Sequence, residues 1–315
     1  MWGFGEGIAL RGLLAASKTF RDAESYKPFV ADLLNTYVSR EVATSNEEHV
    51  APGTELLEIY EETNDIKLLE AAKRLATLNA TFPKNTFGAR MHRSDLPGWR
   101  EQIWVDCIDV DAPFLVRLGN ITGNKSYIEQ GLAEILGYSR ALQETPEEKY
   151  DGLYWHGYES NCGRNGQLWA RGNGWAIMGL VETLKLLPNT HEARTELTDR
   201  LNRLCLALKR VQHRDGLWHT VVTEPETYLE STLAVMVAFS LHEAFEAKLL
   251  DSDLFGDMER KARAAATACI NKQGELTLVS DATPIGELKM YATRPCGIFP
   301  WGQGPLLLML AQIPL

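Results

Sequence analysis

Four short stretches of the chain carry residue types able to do chemistry. The first is Trp104-Val105-Asp106. An Asp at this place is either a helix cap or a general acid/base. An aromatic neighbour would desolvate the carboxyl, and repulsion from Asp109 one turn on would act in the same direction; both raise a pKa. Asp111 lies in an apolar stretch before Pro113 and reads as a buried hydrogen-bonding residue. The second stretch is Trp169-x-Arg171-x-x-x-Trp175. Arg171 and Trp175 share a helix face at this spacing. An arginine can grip a carboxylate with two parallel hydrogen bonds, or it can form a cation–π pair in the core. Gly172 and Gly174 are poor helix residues and favour close approach of a ligand. The third is His156, just after the turn-like Asp151-Gly152, either a structural histidine or a pocket residue. The fourth is Glu48, which reads as a second carboxylate or as a solvated loop acid. The histidines are scattered without a compact ligand spacing, so no metal site is expected. No phosphate-binding loop, dinucleotide fingerprint or serine-nucleophile elbow is present, and no cofactor is expected.

The elements that must position these residues are helical. Six segments open on Gly, Pro, Asn or an aromatic residue and run into an apolar helix: Trp2–Ala16, Pro52–Glu62, Trp104–Leu118, Asn173–Leu187, Tyr228–Phe245 and Trp301–Ile313. Between them lie five charged, amphipathic segments: Ala23–Arg40, Ile66–Asn79, Ser126–Gln143, His191–His213 and Gly256–Asn271. Apolar and amphipathic helices in alternation imply an inner and an outer layer. Two echoes support duplication: Thr63-Asn64-Asp65 with Thr122-Gly123-Asn124, and Asp151-Gly152-Leu153 with Asp215-Gly216-Leu217. The expected fold is all-α, an (α/α)6 barrel of helical hairpins over 1–315 as one domain, one outer helix short. In such a toroid the entrances to the inner helices line one end of a funnel. Aromatic planes, an arginine and helix N-termini gathered there suit an acidic sugar.

Composition narrows the function classes. The chain of 315 residues carries 32 Lys+Arg against 42 Asp+Glu, a net charge of −10. That balance lacks the electrostatic footprint for nucleic acid and for an anionic membrane surface. The apolar runs, Leu306–Leu310 among them, are far below the ~20 residues of a membrane span. The five cysteines are odd in number and none lies close to another, so reduced thiols and a cytoplasmic location are expected. The composition is compatible with a monomer or a homodimer.

The ordered set of motifs resembles the unsaturated glycuronyl hydrolases of glycoside hydrolase family 105, with family 88 more distant. The resemblance spans nearly the whole chain. It runs through Trp2-Gly3-x-Gly5, Pro52-Gly53 with Leu56-x-x-x-Tyr60, Trp104-Val105-Asp106 and Asp151-Gly152-Leu153-Tyr154-Trp155-His156-Gly157. It continues through Trp169-Ala170-Arg171-Gly172-Asn173-Gly174-Trp175, Gly216-Leu217-Trp218-His219, Tyr228-Leu229-Glu230 and Gly302-Gln303-Gly304. It implies a metal-free enzyme that removes a terminal Δ4,5-unsaturated uronic acid from lyase-generated oligosaccharides, with rhamnogalacturonan disaccharide as the default substrate. Asp106 would be the general acid/base. Arg171 and Trp175 would hold the uronate, with His156, Trp104 and Trp169 lining the pocket. Glu48 would stand where the family has a second Asp. Two other readings stand beside it: a sugar epimerase, which needs His156 and His219 in one pocket, and a non-catalytic acidic-sugar-binding protein.

Overall fold

A computed structural model describes residues 3–39 and 50–312. Among these residues twelve helices follow in chain order: α1 (Phe4–Thr19), α2 (Tyr26–Ser39), α3 (Gly53–Thr63), α4 (Ile66–Thr81), α5 (Cys107–Thr122), α6 (Lys125–Leu142), α7 (Ala170–Leu186), α8 (Ala193–Val211), α9 (Thr232–Glu246), α10 (Ser252–Ala268), the short α11 (Leu288–Ala292) and α12 (Pro300–Ala311). Strands are brief. β1 (Gln102–Trp104), β2 (Gly157–Glu159) and β3 (Gly163–Asn165) form one sheet. The pairs β4 (Trp218–His219) with β5 (Leu229–Glu230), and β6 (Val279–Ser280) with β7 (Cys296–Gly297), form two more.

Burial explains which helices go inside. In α9 every residue from Thr232 to Ala238 is buried, so no face is left for water. In α8 the buried residues recur every three or four positions, at Leu197, Leu201, Leu204 and Leu208, which makes one apolar stripe on a charged helix. The inner helices α1, α3, α5, α7, α9 and α12 pack each against the next, and α12 returns to α1, closing a ring. The helices α2, α4, α6, α8 and α10 back α1, α3, α5, α7 and α9. The fold is the expected α/α toroid, with six inner and five outer helices among the described residues.

Closure depends on two glycines. A Cβ on Gly304 would lie 2.3 Å from the Ile8 carbonyl oxygen, and one on Gly12 would lie 2.6 Å from the Gly304 carbonyl oxygen. The two backbones touch because neither residue has a side chain. The first sequence echo is a shared turn. Asn64 and Gly123 end their inner helices in the left-handed conformation (φ 55° and 68°). Asp65 and Asn124 then cap the outer helices by accepting from the amides of Lys67 and Ser126. One turn chemistry therefore builds two of the hairpins.

Candidate active site

Backbone pairing brings the candidate acid to its neighbours. β1 and β2 run antiparallel with Trp104 opposite Gly157, and the Val105 amide donates to the His156 carbonyl at 2.9 Å. Asp106 follows at the mouth of α5, 6% exposed, and its side chain makes no cap hydrogen bond. The capping alternative is thereby set aside. Asp106 Oδ2 faces His156 Nε2 across 3.5 Å.

Five aromatic rings gather around this carboxyl. His92 stacks on Trp104 with centroids 3.9 Å apart and planes within 9°. Trp99 leans on Trp104 at 4.9 Å, and His156 sits 4.4 Å from Trp169. His92, Trp99, Trp104 and Trp169, with Asp106, Arg171 and Arg294, border a cavity of about 220 Å³, while His156 is fully buried and stands behind that wall rather than in it. His92 and Trp99 belong to the loop between α4 and β1, whose role was not legible in sequence. Their only advance signal was an aromatic and a histidine shortly before Trp104.

The electrostatics differ from expectation. Burial pushes the Asp106 carboxyl up, but His156, His92 and Arg171 outweigh it and hold the group below the usual carboxylate value. Asp109 does not act on Asp106. It turns to the barrel axis and takes Arg11 at 2.9 Å, while burial, against that arginine, keeps its own pKa raised. Asp111 is the expected buried partner, binding Arg90 at 3.0 Å and Tyr138 at 3.2 Å. Burial drives His92 down to about 3, although Asp106 opposes it, so this ring is neutral at physiological pH. Burial also lowers His156 against the pull of Asp106.

Arg171 lies in the cavity wall, but its fork is already committed. Nη1 donates to Ser280 Oγ at 2.5 Å, to the Ser280 carbonyl at 2.8 Å and to Glu230 at 3.2 Å. Nη2 donates to the Asp281 carbonyl at 2.9 Å and to Thr283 Oγ1 at 3.3 Å. The guanidinium also lies 4.3 Å over the Trp169 ring. The expected free carboxylate clamp is therefore a strut that fixes the segment from 280 to 283.

Trp175, one turn further along α7, falls outside the cavity that holds Asp106. It borders a small neighbouring cleft with Arg11, Glu55 and Asp109, and Phe4 stands at both spaces. Gly172 and Gly174 are packing positions. Added Cβ atoms would strike Val105 Cγ1 at 2.7 Å and Met236 Sδ at 2.2 Å, so helix contacts rather than a ligand require them. His219 lines a separate surface cleft beside His213. Glu48 lies outside the described residues.

Residues 1–314 match the family model described as Glycosyl Hydrolase Family 88. The chain belongs to that family. This hydrolase is 26% identical over 323 residues to the unsaturated rhamnogalacturonyl hydrolase YesR of Bacillus subtilis, a match covering 99% of this chain and 89% of that protein. It is 24% identical over 186 residues to an unsaturated 3S-rhamnoglycuronyl hydrolase of Formosa agariphila, covering 56% of this chain and 49% of that one. Among solved structures, a possible member of the GH105 family from Salmonella enterica superposes with a TM-score of 0.89 at 25% identity, over 99% of this chain and 82% of that one. The unsaturated glucuronyl hydrolase of Bacillus sp. GL1 shares the fold, with a TM-score of 0.76 at 18% identity over 98% of this chain and 85% of its own. The chain is a glycoside hydrolase, and among the described residues no helix is long and apolar enough to cross a membrane.

Proposed function

We propose that this glycoside hydrolase removes a terminal Δ4,5-unsaturated uronic acid from oligosaccharides left by polysaccharide lyases. Unsaturated rhamnogalacturonan disaccharide is the leading substrate. The observation that carries the reading is the lone acid: among the described residues Asp106 is the one carboxylate bordering the aromatic cavity. Displacement at an anomeric carbon ordinarily takes two carboxyl groups. Hydration of a vinyl ether takes one group that first gives and then accepts a proton.

In this reading protonated Asp106 delivers its proton to C4 of the double bond. Positive charge develops at C5 and the ring oxygen. Water adds at C5 and returns a proton to the Asp106 carboxylate. The hemiketal so formed opens to a C5 ketone, and the hemiacetal left at C1 expels the glycosidic partner. Trp104 and Trp169 wall the sugar ring, and His156 Nε2, from behind that wall, steadies the ionised carboxylate between the two proton transfers. Arg171 keeps its place in the wall by holding the segment that faces Asp106. Trp175 supports Phe4 from the neighbouring cleft, and Glu48, outside the described residues, keeps the substrate-binding part that the family resemblance gives it. We further read the chain as one cytoplasmic domain, a monomer or a homodimer, acting on free oligosaccharides without metal or cofactor.

The test is loss of the ultraviolet absorbance of the conjugated uronate. Lyase-generated disaccharides would be offered to wild type and to Asp106→Asn. The expected result is decay with wild type and a rate lowered roughly 10²–10⁴-fold in the variant, the usual span for general acid–base work. A folded wild-type protein that leaves every such disaccharide intact would overturn the reading in favour of a binding protein. The separation of His219 from Asp106 and His156 already weighs against the epimerase.

A further inference from the structure

The commitment of Arg171 leaves open which group meets the ligand's negative charge. The arginines of the interior have acidic partners: Arg90 has Asp111, Arg11 has Asp109, and Arg171 has Glu230. Arg294 differs in having no acid of its own. Its Nε, like those of Arg11 and Arg171, is buried without a hydrogen-bond partner among the described residues, and the side chain borders the same cavity as Asp106. No carboxylate of the described residues pairs with it.

Its backbone is firmly placed. β6 and β7 pair with Ser280 opposite Cys296, and the Asp281 amide donates to the Pro295 carbonyl at 3.0 Å. The segment from 281 to 295 is thus a closed excursion. Arg171 pins its outgoing leg at Ser280, Asp281 and Thr283, and Arg294 rides on its returning leg. A planar guanidinium with unspent donors, held at the rim of an aromatic cavity, fits a carboxylate.

The charge count agrees. At physiological pH Asp106 is ionised and His92 is neutral. The Arg171 charge is met by Glu230 from behind. The Arg294 charge is the one left for a ligand.

We propose that Arg294 recognises the carboxylate of the acidic sugar, with Arg171 acting as the positioning residue for the segment that carries it. The assignment rests on the reading of the reaction given above. It makes free uronic acids, rather than esterified or neutral sugars, the substrates of choice.

The experiment compares an unsaturated uronyl disaccharide with its methyl ester, which removes the charge and keeps the reactive double bond. kcat and KM would be measured for wild type, Arg294→Gln and Arg294→Lys, with melting curves to verify folding. The expected result is a wild-type preference for the acid of tenfold or more in kcat/KM, expressed mainly in KM. Arg294→Gln brings that preference close to one, and Arg294→Lys, which keeps the charge but not the fork, retains part of it. A preference that survives Arg294→Gln overturns the assignment. So does a fall of acid and ester by the same factor, the mark of a purely structural residue, or a wild type indifferent to esterification. A wild type that turns over neither compound overturns both this assignment and the reaction beneath it.

Discussion

Tyr291 Oη lies 2.6 Å from His156 Nδ1, on the side of the imidazole opposite Asp106. Together with Asp106 that contact favours one tautomer. An ionised Asp106 facing Nε2 favours the proton on that nitrogen, so Nδ1 accepts from the tyrosine hydroxyl. His156 thereby presents an N–H to the acid rather than a lone pair. Tyr291 is itself buried beside Trp169, so the orientation is fixed by packing as well as by hydrogen bonding.

Removing the hydroxyl should therefore cost activity without unfolding the protein. Tyr291→Phe keeps the ring and frees His156 to change tautomer. We expect kcat/KM to fall about tenfold, in line with loss of roughly 1.4 kcal/mol from one buried hydrogen bond. The melting temperature should fall by only about 2–4 °C. Steady-state kinetics beside a thermal melt would check this, and unchanged kinetics would remove Tyr291 from the machinery.

The pH dependence should differ between the free and the bound enzyme. The reaction begins with protonated Asp106, so activity is lost as pH rises through its pKa. In the free enzyme His156, His92 and Arg171 overcome burial and hold that pKa below the usual value. An anionic ligand that also excludes water pushes it upward. The basic limb of kcat should lie at higher pH than that of kcat/KM, since the two report the bound and free states respectively. Coincident limbs would contradict the argument.

Glu55 offers a separate test of the barrel axis. It is buried on α3, and burial raises its carboxyl to about 7 despite Arg11. A pKa raised in the folded state favours folding while the proton stays on. That contribution is full below about 4.5, fades as pH climbs, and is gone above about 7. The span corresponds to at most roughly 3 kcal/mol. Glu55→Gln should accordingly raise the melting temperature at pH 8 and leave it nearly unaltered at pH 5. Equal shifts at both pH values would exclude titration of Glu55 as the cause.

Ring closure should be sensitive to a single methyl group. In Gly304→Ala the new Cβ meets the Ile8 carbonyl, a backbone atom that cannot swing aside. A loss of about 1–3 kcal/mol is expected, the usual cost of overpacking. Urea denaturation would measure it. An unchanged midpoint would mean that α1 and α12 can separate freely.

What the sequence determined by itself is whatever a short window encodes. The periodicity of Leu197, Leu201, Leu204 and Leu208 marks an outer helix, and the unbroken apolar run of α9 marks an inner one. Asn64-Asp65 and Gly123-Asn124 specify their turns through their own side chains and backbone angles. From these came the six inner and five outer helices. The motif that places Asp106 behind Trp104 was equally visible. The tertiary structure decided what each group faces. Arg171 meets Ser280 from 109 residues away, and His156 meets Tyr291 from 135. Asp109 turns from Asp106 to Arg11, 98 residues back. Such pairings depend on how the toroid closes, and no local pattern records them. The same long-range pairing sets the pKa of Asp106, because an aromatic neighbour alone would have raised it and the histidines and arginine brought by the fold lower it instead.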